Sequence, residues 1–309
     1  MSHRLARAAV DARLITAFVV VSLFIGGVSA MAAAGGSRHE PAPTATGDLL
    51  PDLDQEAPSE LAVRTAVVNG RTIWVLGFRS AVRNIGDGPL IVEGLRSNTD
   101  TPAMVVNQLV NRIGASERVV RDVGTLQFVV SPDHNHWHYM QFDRYELLQY
   151  ELRIAGTDAA VVTDRKTGFC LGDRYAVPLD LAAAPSRPVF TGSCGLEQPG
   201  LLTMREGISV GYGDDYSAFL EGQDLPISGL PDGRYVLVHR VNADGLLEEL
   251  STANNAASLL LELSWREGRP YVRVLQTCPD TANCQAPMQG SGGGQEPRVR
   301  PGGRLAWLS

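Results

Sequence analysis

The sequence predicts an all-β protein, a single β-sandwich with long loops, from three observations. Short segments rich in Val, Leu, Ile and Tyr recur through the chain. Clusters of Gly, Asn, Asp and Pro, such as residues 84–89 and 231–233, separate these segments as turns separate strands. No window shows the apolar period of a long amphipathic helix. The predicted strands are 61–68, 72–82, 126–130, 145–154, 234–241 and 257–265.

The first 34 residues have the features of a secretory signal peptide. Arg4, Arg7 and Arg13 precede an uncharged stretch over 14–34, and small residues follow its apolar centre. A positive leader, an apolar middle and a small-residue end are typical of exported proteins. The alternative is an uncleaved N-terminal membrane anchor, since about 20 apolar residues can span a bilayer. The sequence therefore predicts a secreted or extracytoplasmic protein.

The rest of the chain divides by composition into three parts. A flexible linker covers 35–48, the β-sandwich domain covers 49–277, and a Gly- and Pro-rich C-terminal tail covers 278–309. The chain has 27 basic and 34 acidic residues, a net charge of −7, and no polybasic run. Nucleic acid is therefore not an expected partner, because phosphate neutralisation needs clustered Lys and Arg. No membrane contact is expected after signal cleavage.

Four cysteines, all in the second half of the chain, predict two disulfides. An even number of cysteines in an exported protein is typical of disulfide bonding, and four cysteines allow three connectivities. We expect nearest-neighbour pairing, Cys170 with Cys194 and Cys278 with Cys284. The alternatives are buried thiols or a metal site, although no Cys-x-x-Cys spacing favours thiolate ligation.

Three of the six histidines lie within five residues, at His134, His136 and His138. Alternate side chains of an extended strand share one face, so the three imidazoles point the same way. Trp137 and Tyr139 then face the core. Three histidines with this spacing predict a metal site, and imidazole ligands favour copper or zinc over magnesium or calcium. The spacing does not choose between copper and zinc.

The histidine segment must bend for its side chains to share one metal ion. Full extension would separate His134 from His138 by about 13 Å, whereas metal–nitrogen bonds are near 2.0 Å. Pro132 and Asp133 precede the segment and predict a turn there. We interpret His239, inside a predicted strand, as a strand residue rather than a ligand.

Lys166 is the only lysine in the chain, beside 26 arginines. One explanation is a biased base composition, with Lys166 a chance survivor. The other is a role that needs a primary amine. Arginine stays protonated, whereas a desolvated lysine can lose its proton and act as a nucleophile.

Taken together and in order, these motifs resemble the landmarks of the lysyl oxidase family. Residues 134–138 and the following 142–148 resemble its copper-binding segment. Residues 166–171, Lys-Thr-Gly-Phe-Cys-Leu, resemble its Lys-x-x-Phe-Cys-Leu motif, and 214–218 resemble its Asp-x-Tyr-x-Ala motif, with Gln223 seven residues after Tyr216. Further similarities, at 231–235 and 254–255, extend the resemblance over 49–276.

The resemblance implies a copper-dependent amine oxidase. It implies that His134, His136 and His138 bind Cu(II), and that Lys166 and Tyr216 are the precursors of lysine tyrosylquinone, a cofactor that the family makes from its own side chains. The implied reaction oxidises a primary amine, either a small molecule or the lysine side chain of a protein, to an aldehyde with O₂, and releases H₂O₂ and ammonia.

Two features differ from the animal members of the family. The animal proteins carry more cysteines and a basic propeptide, so this chain resembles the microbial branch, and matrix crosslinking is not carried over.

Asp214 and Asp215 adjoin Tyr216 and could supply a base, but we expect them to be solvated acids in a loop. The alternative function is a non-catalytic β-sandwich that binds copper or zinc as a surface module. The presence of both Lys166 and Tyr216 favours the enzyme, since a binding module needs neither.

Overall fold

Two antiparallel β-sheets form the described part of the chain, which confirms the predicted all-β class. The computed structural model describes residues 47–131, 134–155, 161–220 and 222–286. Its elements are β1 (Asp48–Leu49), β2 (Leu53–Gln55), β3 (Ser59–Val68), β4 (Arg71–Asn84), β5 (Leu90–Leu95), β6 (Ala103–Arg112), β7 (Ala115–Val130), β8 (Asn135–Gln149), α1 (Tyr150–Ile154), β9 (Val161–Phe169), β10 (Tyr175–Ala176), β11 (Thr203–Ile208), β12 (Tyr212–Tyr216), β13 (Asp224–Pro226), β14 (Gly233–Val241), β15 (Ala256–Arg266) and β16 (Arg269–Cys278).

The first sheet has ten strands and carries the three histidines. Its order is β11-β5-β6-β7-β8-β14-β15-β16, with β1 beside β6 and β9 beside β8. The second sheet has six strands around the long strand β4, in the order β10-β12-β4-β13, with β2 and β3 also paired to β4. Tyr216 ends β12, so the histidines and Tyr216 belong to different sheets.

The two sheets pack face to face through a core to which both contribute. Trp137 and Tyr139 of the first sheet are fully buried with Val82 of the second, as the alternation around the histidines predicts. A second cluster joins Phe78 of β4 to Tyr145 of β8. Each large apolar side chain buried in this way stabilises the fold by roughly 1.5–3 kcal/mol.

Strand β8 changes partners along its length. Residues 135–139 pair with β7, whereas 143–148 lie between β14 and β9. The sequence predicts a strand to residue 154, and this is wrong over its last five residues, which form α1. The physical reason is the loss of both neighbours: the ladder with β14 ends at Gln149, and that with β9 at Leu148.

Two disulfides join the pairs that the sequence predicts, Cys170–Cys194 and Cys278–Cys284. The second fastens residues 278–286 against the sheet, where Cys284 is buried and the Ala286 N–H donates to Tyr150 Oη. The predicted signal peptide, the predicted linker up to residue 46 and the predicted tail beyond residue 286 lie outside the described residues. Among the described helices, none is long and apolar enough to cross a membrane.

Candidate active site

The hairpin between β7 and β8 supplies the bend that brings the three histidines together. Ser131 and His134 close it with two backbone hydrogen bonds, of 2.6 and 3.2 Å, so His134 lies just before the strand that carries His136 and His138. The ring centroids of His134 and His138 are 4.8 Å apart, far closer than full extension allows. The predicted turn residues Pro132 and Asp133 lie outside the described part of the chain.

The nitrogens of the three histidines suit a transition metal. Nε2 of His136 and Nε2 of His138 are 2.8 Å apart, and one ligand nitrogen from each of the three rings lies within 4.8 Å of the others. Two ligands at about 2.0 Å from an ion, at right angles, would be about 2.8 Å apart. The pair from β8 therefore already has the spacing of adjacent ligands, and an all-imidazole set suits copper or zinc.

Burial favours the neutral, metal-binding form of His136 and His138. It lowers the pKa of His138 to about 3, with the neighbouring His136 and His134 acting in the same direction. The pKa of His136 is also lowered, first by burial and then by His134 and Arg174. A neutral imidazole has a lone pair for a metal ion, so these rings need not lose a proton before they bind one.

Tyr216 places its phenol beside the histidine cluster from the opposite sheet. Its Oη lies 3.5 Å from Nε2 of His138, and its ring centroid is 6.2 Å from those of both His138 and His134. The side chain is almost fully buried. Burial, followed by the charge of Asp214, raises the pKa of the phenol.

The segment after Lys166 makes three successive contacts with this site. Gly168 passes so close to β8 that an added Cβ would lie 2.8 Å from Met140 Sδ and 3.0 Å from His138 Cβ. The Phe169 ring stacks on the Tyr216 ring, with centroids 4.2 Å apart and an 8° interplanar angle. The third contact is the N–H of Cys170, which donates to Tyr216 Oη over 2.8 Å. The Lys-x-Gly-Phe-Cys spacing thus lets one segment contact both the histidine strand and Tyr216.

The structure places the backbone of Lys166 in strand β9, two residues before Gly168. Its register partner is Arg144 of β8, six residues beyond His138. The strand that carries Lys166 therefore runs beside the histidine strand and leads directly to the Tyr216 ring.

The first disulfide ties the Tyr216-binding segment to the histidine strand. Cys170 follows Phe169, and its partner Cys194 accepts a hydrogen bond from the N–H of Trp137 over 2.9 Å. Just beyond Cys194, the N–H of Glu197 donates to the carbonyl of Asn135 over 2.7 Å. The disulfide thus joins both sides of the candidate site.

Three consecutive backbone N–H groups hold three ionisable side chains at this site. The bonds are Cys170 N to Tyr216 Oη (2.8 Å), Leu171 N to Glu206 Oε2 (3.1 Å) and Gly172 N to Asp214 Oδ2 (3.1 Å). Arg174 Nε lies 3.7 Å from the second Asp214 oxygen. Glu206 and Arg174 could not be predicted as site residues, since neither stands in a sequence motif.

The expectation of solvated loop acids beside Tyr216 is wrong, because both residues lie in strand β12. Asp214 is fully buried under the 170–172 segment, and Asp215 binds Arg79 Nε at 2.8 Å. Burial raises the pKa of Asp214 to about 8, against the opposing effects of Arg174 and of the Gly172 and Asp215 amides.

This pKa predicts that stability falls as the pH rises. Between the ordinary value of 3.8 and about 8, folded Asp214 keeps a proton that the unfolded chain has released. The free energy of unfolding therefore falls over this window, by up to about 1.4 kcal/mol per pH unit for one group. We expect Asp214→Asn to flatten the decline between pH 5 and pH 8 in denaturant titrations of the copper-free chain. The exposed Asp100→Asn is the control, and equal slopes in wild type and Asp214→Asn would contradict the assignment.

His239 lies in strand β14 and not in the histidine cluster. Its Nδ1 is 2.6 Å from Gln55 Nε2, and its Nε2 bonds to Asp143, in the fully buried interior. Gln223 of the sequence motif is also buried, and accepts a hydrogen bond from Tyr145 over 2.5 Å. Both residues thus have hydrogen-bond partners in the core.

The fold and the site define a β-sandwich with a three-histidine cluster, suited to a transition metal, against a buried tyrosine. The lysyl oxidase family model matches residues 108–273, more than half of the chain, and the chain belongs to the lysyl oxidase family. Members of this family are typically copper-dependent oxidoreductases that act on amines. A comparison with curated proteins gives no match.

Proposed function

We propose that this protein is a copper-dependent amine oxidase that uses lysine tyrosylquinone made from Lys166 and Tyr216. The observation that carries the proposal is the position of Tyr216, 3.5 Å from His138 and in contact with the segment that follows Lys166. His134, His136 and His138 would hold the Cu(II). When bound, copper with O₂ supplies the oxidation that converts the Tyr216 ring and the Lys166 amine into the quinone cofactor.

The surrounding residues prepare Tyr216 for this chemistry. Phe169 fixes the plane of the phenol by stacking on it. The N–H of Cys170 donates to Oη, where it stabilises the negative charge that develops as the hydroxyl loses its proton. Glu206 and Asp214 bind the next two amides and so position the 170–172 segment. The second oxygen of Asp214 accepts no hydrogen bond within the described residues, and burial raises the pKa of this carboxyl group to about 8, so it carries a proton at neutral pH.

The net reaction converts a primary amine, O₂ and water into an aldehyde, ammonia and H₂O₂. The substrate is a small primary amine or the lysine side chain of a protein. We also propose that the reaction takes place outside the cytoplasm. The support is the leader over 1–34 and the two disulfides, because disulfides form and persist in oxidising compartments.

A hydrazine probe tests the proposed cofactor. We expect the copper-loaded, air-incubated full chain to react with phenylhydrazine and to develop a new visible absorption band, because the probe condenses with a quinone carbonyl. Tyr216→Phe, which keeps the ring but cannot form a quinone, is the matched control and should develop no band. A wild-type chain that binds copper without forming the band would contradict the proposal and favour the metal-binding module.

A further inference from the structure

The cations of this protein are arginines with a single exception. The chain has 26 arginines and one lysine, Lys166. Lysine is normally among the commonest residues of soluble domains.

Base composition alone does not explain the deficit of lysine. Lysine and asparagine codons share their first two bases, and each residue has one codon that ends in G or C and one that ends in A or T. A base bias therefore acts on the codons of both residues alike, although arginine offers a cationic replacement for lysine and asparagine has no such replacement. The chain nevertheless has ten asparagines against one lysine. The deficit is therefore much larger for the residue with the primary amine than for asparagine.

The structure does not require arginine at four of these positions. Arg71, Arg121 and Arg187 are exposed, and no ion pair or ring contact is recorded for them within the described residues. Arg205 reaches Glu93 with one nitrogen over 3.2 Å, a contact that an ammonium group can also make. Lysine would serve such solvated positions as well, because it is a compact charge on a flexible stem.

We propose that the lysine-poor surface protects the protein from its own chemistry, an inference that rests on the proposed function. An exposed lysine is a primary amine. Its CH₂–NH₂ group would lose two electrons and two protons to O₂, giving H₂O₂; water would then supply the aldehyde oxygen, and ammonia would leave. The ε-amine of a second lysine would condense with that aldehyde or with the aldehyde product, releasing water. The delocalised guanidinium of arginine stays charged and follows neither route.

A triple variant tests the inference on the copper-loaded full chain. Arg71→Lys, Arg121→Lys and Arg187→Lys together restore exposed primary amines without changing the net charge. During turnover of n-butylamine, we expect most of the introduced lysines to be converted to hydrazide-reactive aldehydes or to borohydride-trapped adducts, as read by peptide mass spectrometry. The wild type should carry neither modification on any side chain. Two controls isolate the cause: glutamine at the same three positions, and the triple lysine variant with Lys166→Arg added, which forms no quinone.

The outcomes separate this inference from the proposed function. Lysines that stay unmodified in a triple variant releasing peroxide at the wild-type rate would overturn the inference alone. If the wild type releases peroxide neither from n-butylamine nor from a lysine-containing peptide, the proposed oxidase activity fails and the inference fails with it. Modification that persists in the Lys166→Arg background would show that the quinone is not its source, and would also overturn the inference.

Discussion

Lys166→Arg should fold and bind copper yet lose amine oxidase activity by about 10³-fold or more, since it removes a group from which the cofactor is built. Arginine keeps the positive charge but stays protonated, so it cannot add to an oxidised tyrosine ring as a neutral amine. Three measurements on one preparation check this: copper content, the band formed with phenylhydrazine, and peroxide release from a primary amine. We expect full copper, no band and no peroxide.

The opposing explanation is that Lys166 is an ordinary residue in an arginine-biased chain. It predicts full activity from this conservative change. Arg144→Lys, at the register partner of Lys166 in β8, is the matched control for an exchange between the same two residue types. It should keep the phenylhydrazine band and the activity. Wild-type oxidase activity in Lys166→Arg would defeat the proposed mechanism.

His136→Ala should remove most of the copper, with a fall in affinity of more than about 100-fold, because loss of even an outer partner of a metal ligand costs 10–100-fold. His136 and His138 have the spacing of two adjacent ligands, so the His136→Ala variant keeps only one ligand of this pair. Metal analysis after copper loading and dialysis gives the bound stoichiometry, which we expect near one per chain in the wild type.

His39→Ala, in the predicted linker, is the control for the loss of a histidine outside the cluster. Stoichiometric copper in His136→Ala would contradict the ligand assignment. A wild-type chain that prefers zinc after copper loading would favour the binding-module alternative.

The sequence predicts the main strands well where apolar residues dominate. Residues 61–68, 72–82, 234–241 and 257–265 match β3, β4, β14 and β15 to within two residues at each end. Strand β6 was missed because its interior is partly polar. Gln108 of β6 is fully buried. Its side-chain amide can be buried there because it donates a hydrogen bond to the carbonyl of Glu248 and accepts one from the N–H of the same residue.

Part of the candidate site could be predicted from the sequence, and the rest depends on the fold. The i, i+2, i+4 spacing predicts that the three histidines share a face, and their convergence follows from the hairpin at Ser131. The burial of Asp214 could not be predicted, because it depends on the 170–172 segment, about 40 residues away in the chain, lying across β12. Glu206 reaches the same segment from β11. Local sequence contains no signal for such long-range contacts.

A tryptic map of the active wild-type protein tests the central claim most directly. If Lys166 and Tyr216 are cross-linked, trypsin cannot cut after residue 166, and mass spectrometry should find the Lys166 and Tyr216 peptides joined as one species. Amine-reactive reagents should then label the α-amino group and no ε-amine, because the chain has a single lysine. Cleavage after Lys166, with separate Lys166 and Tyr216 peptides in a fully active protein, would contradict the account.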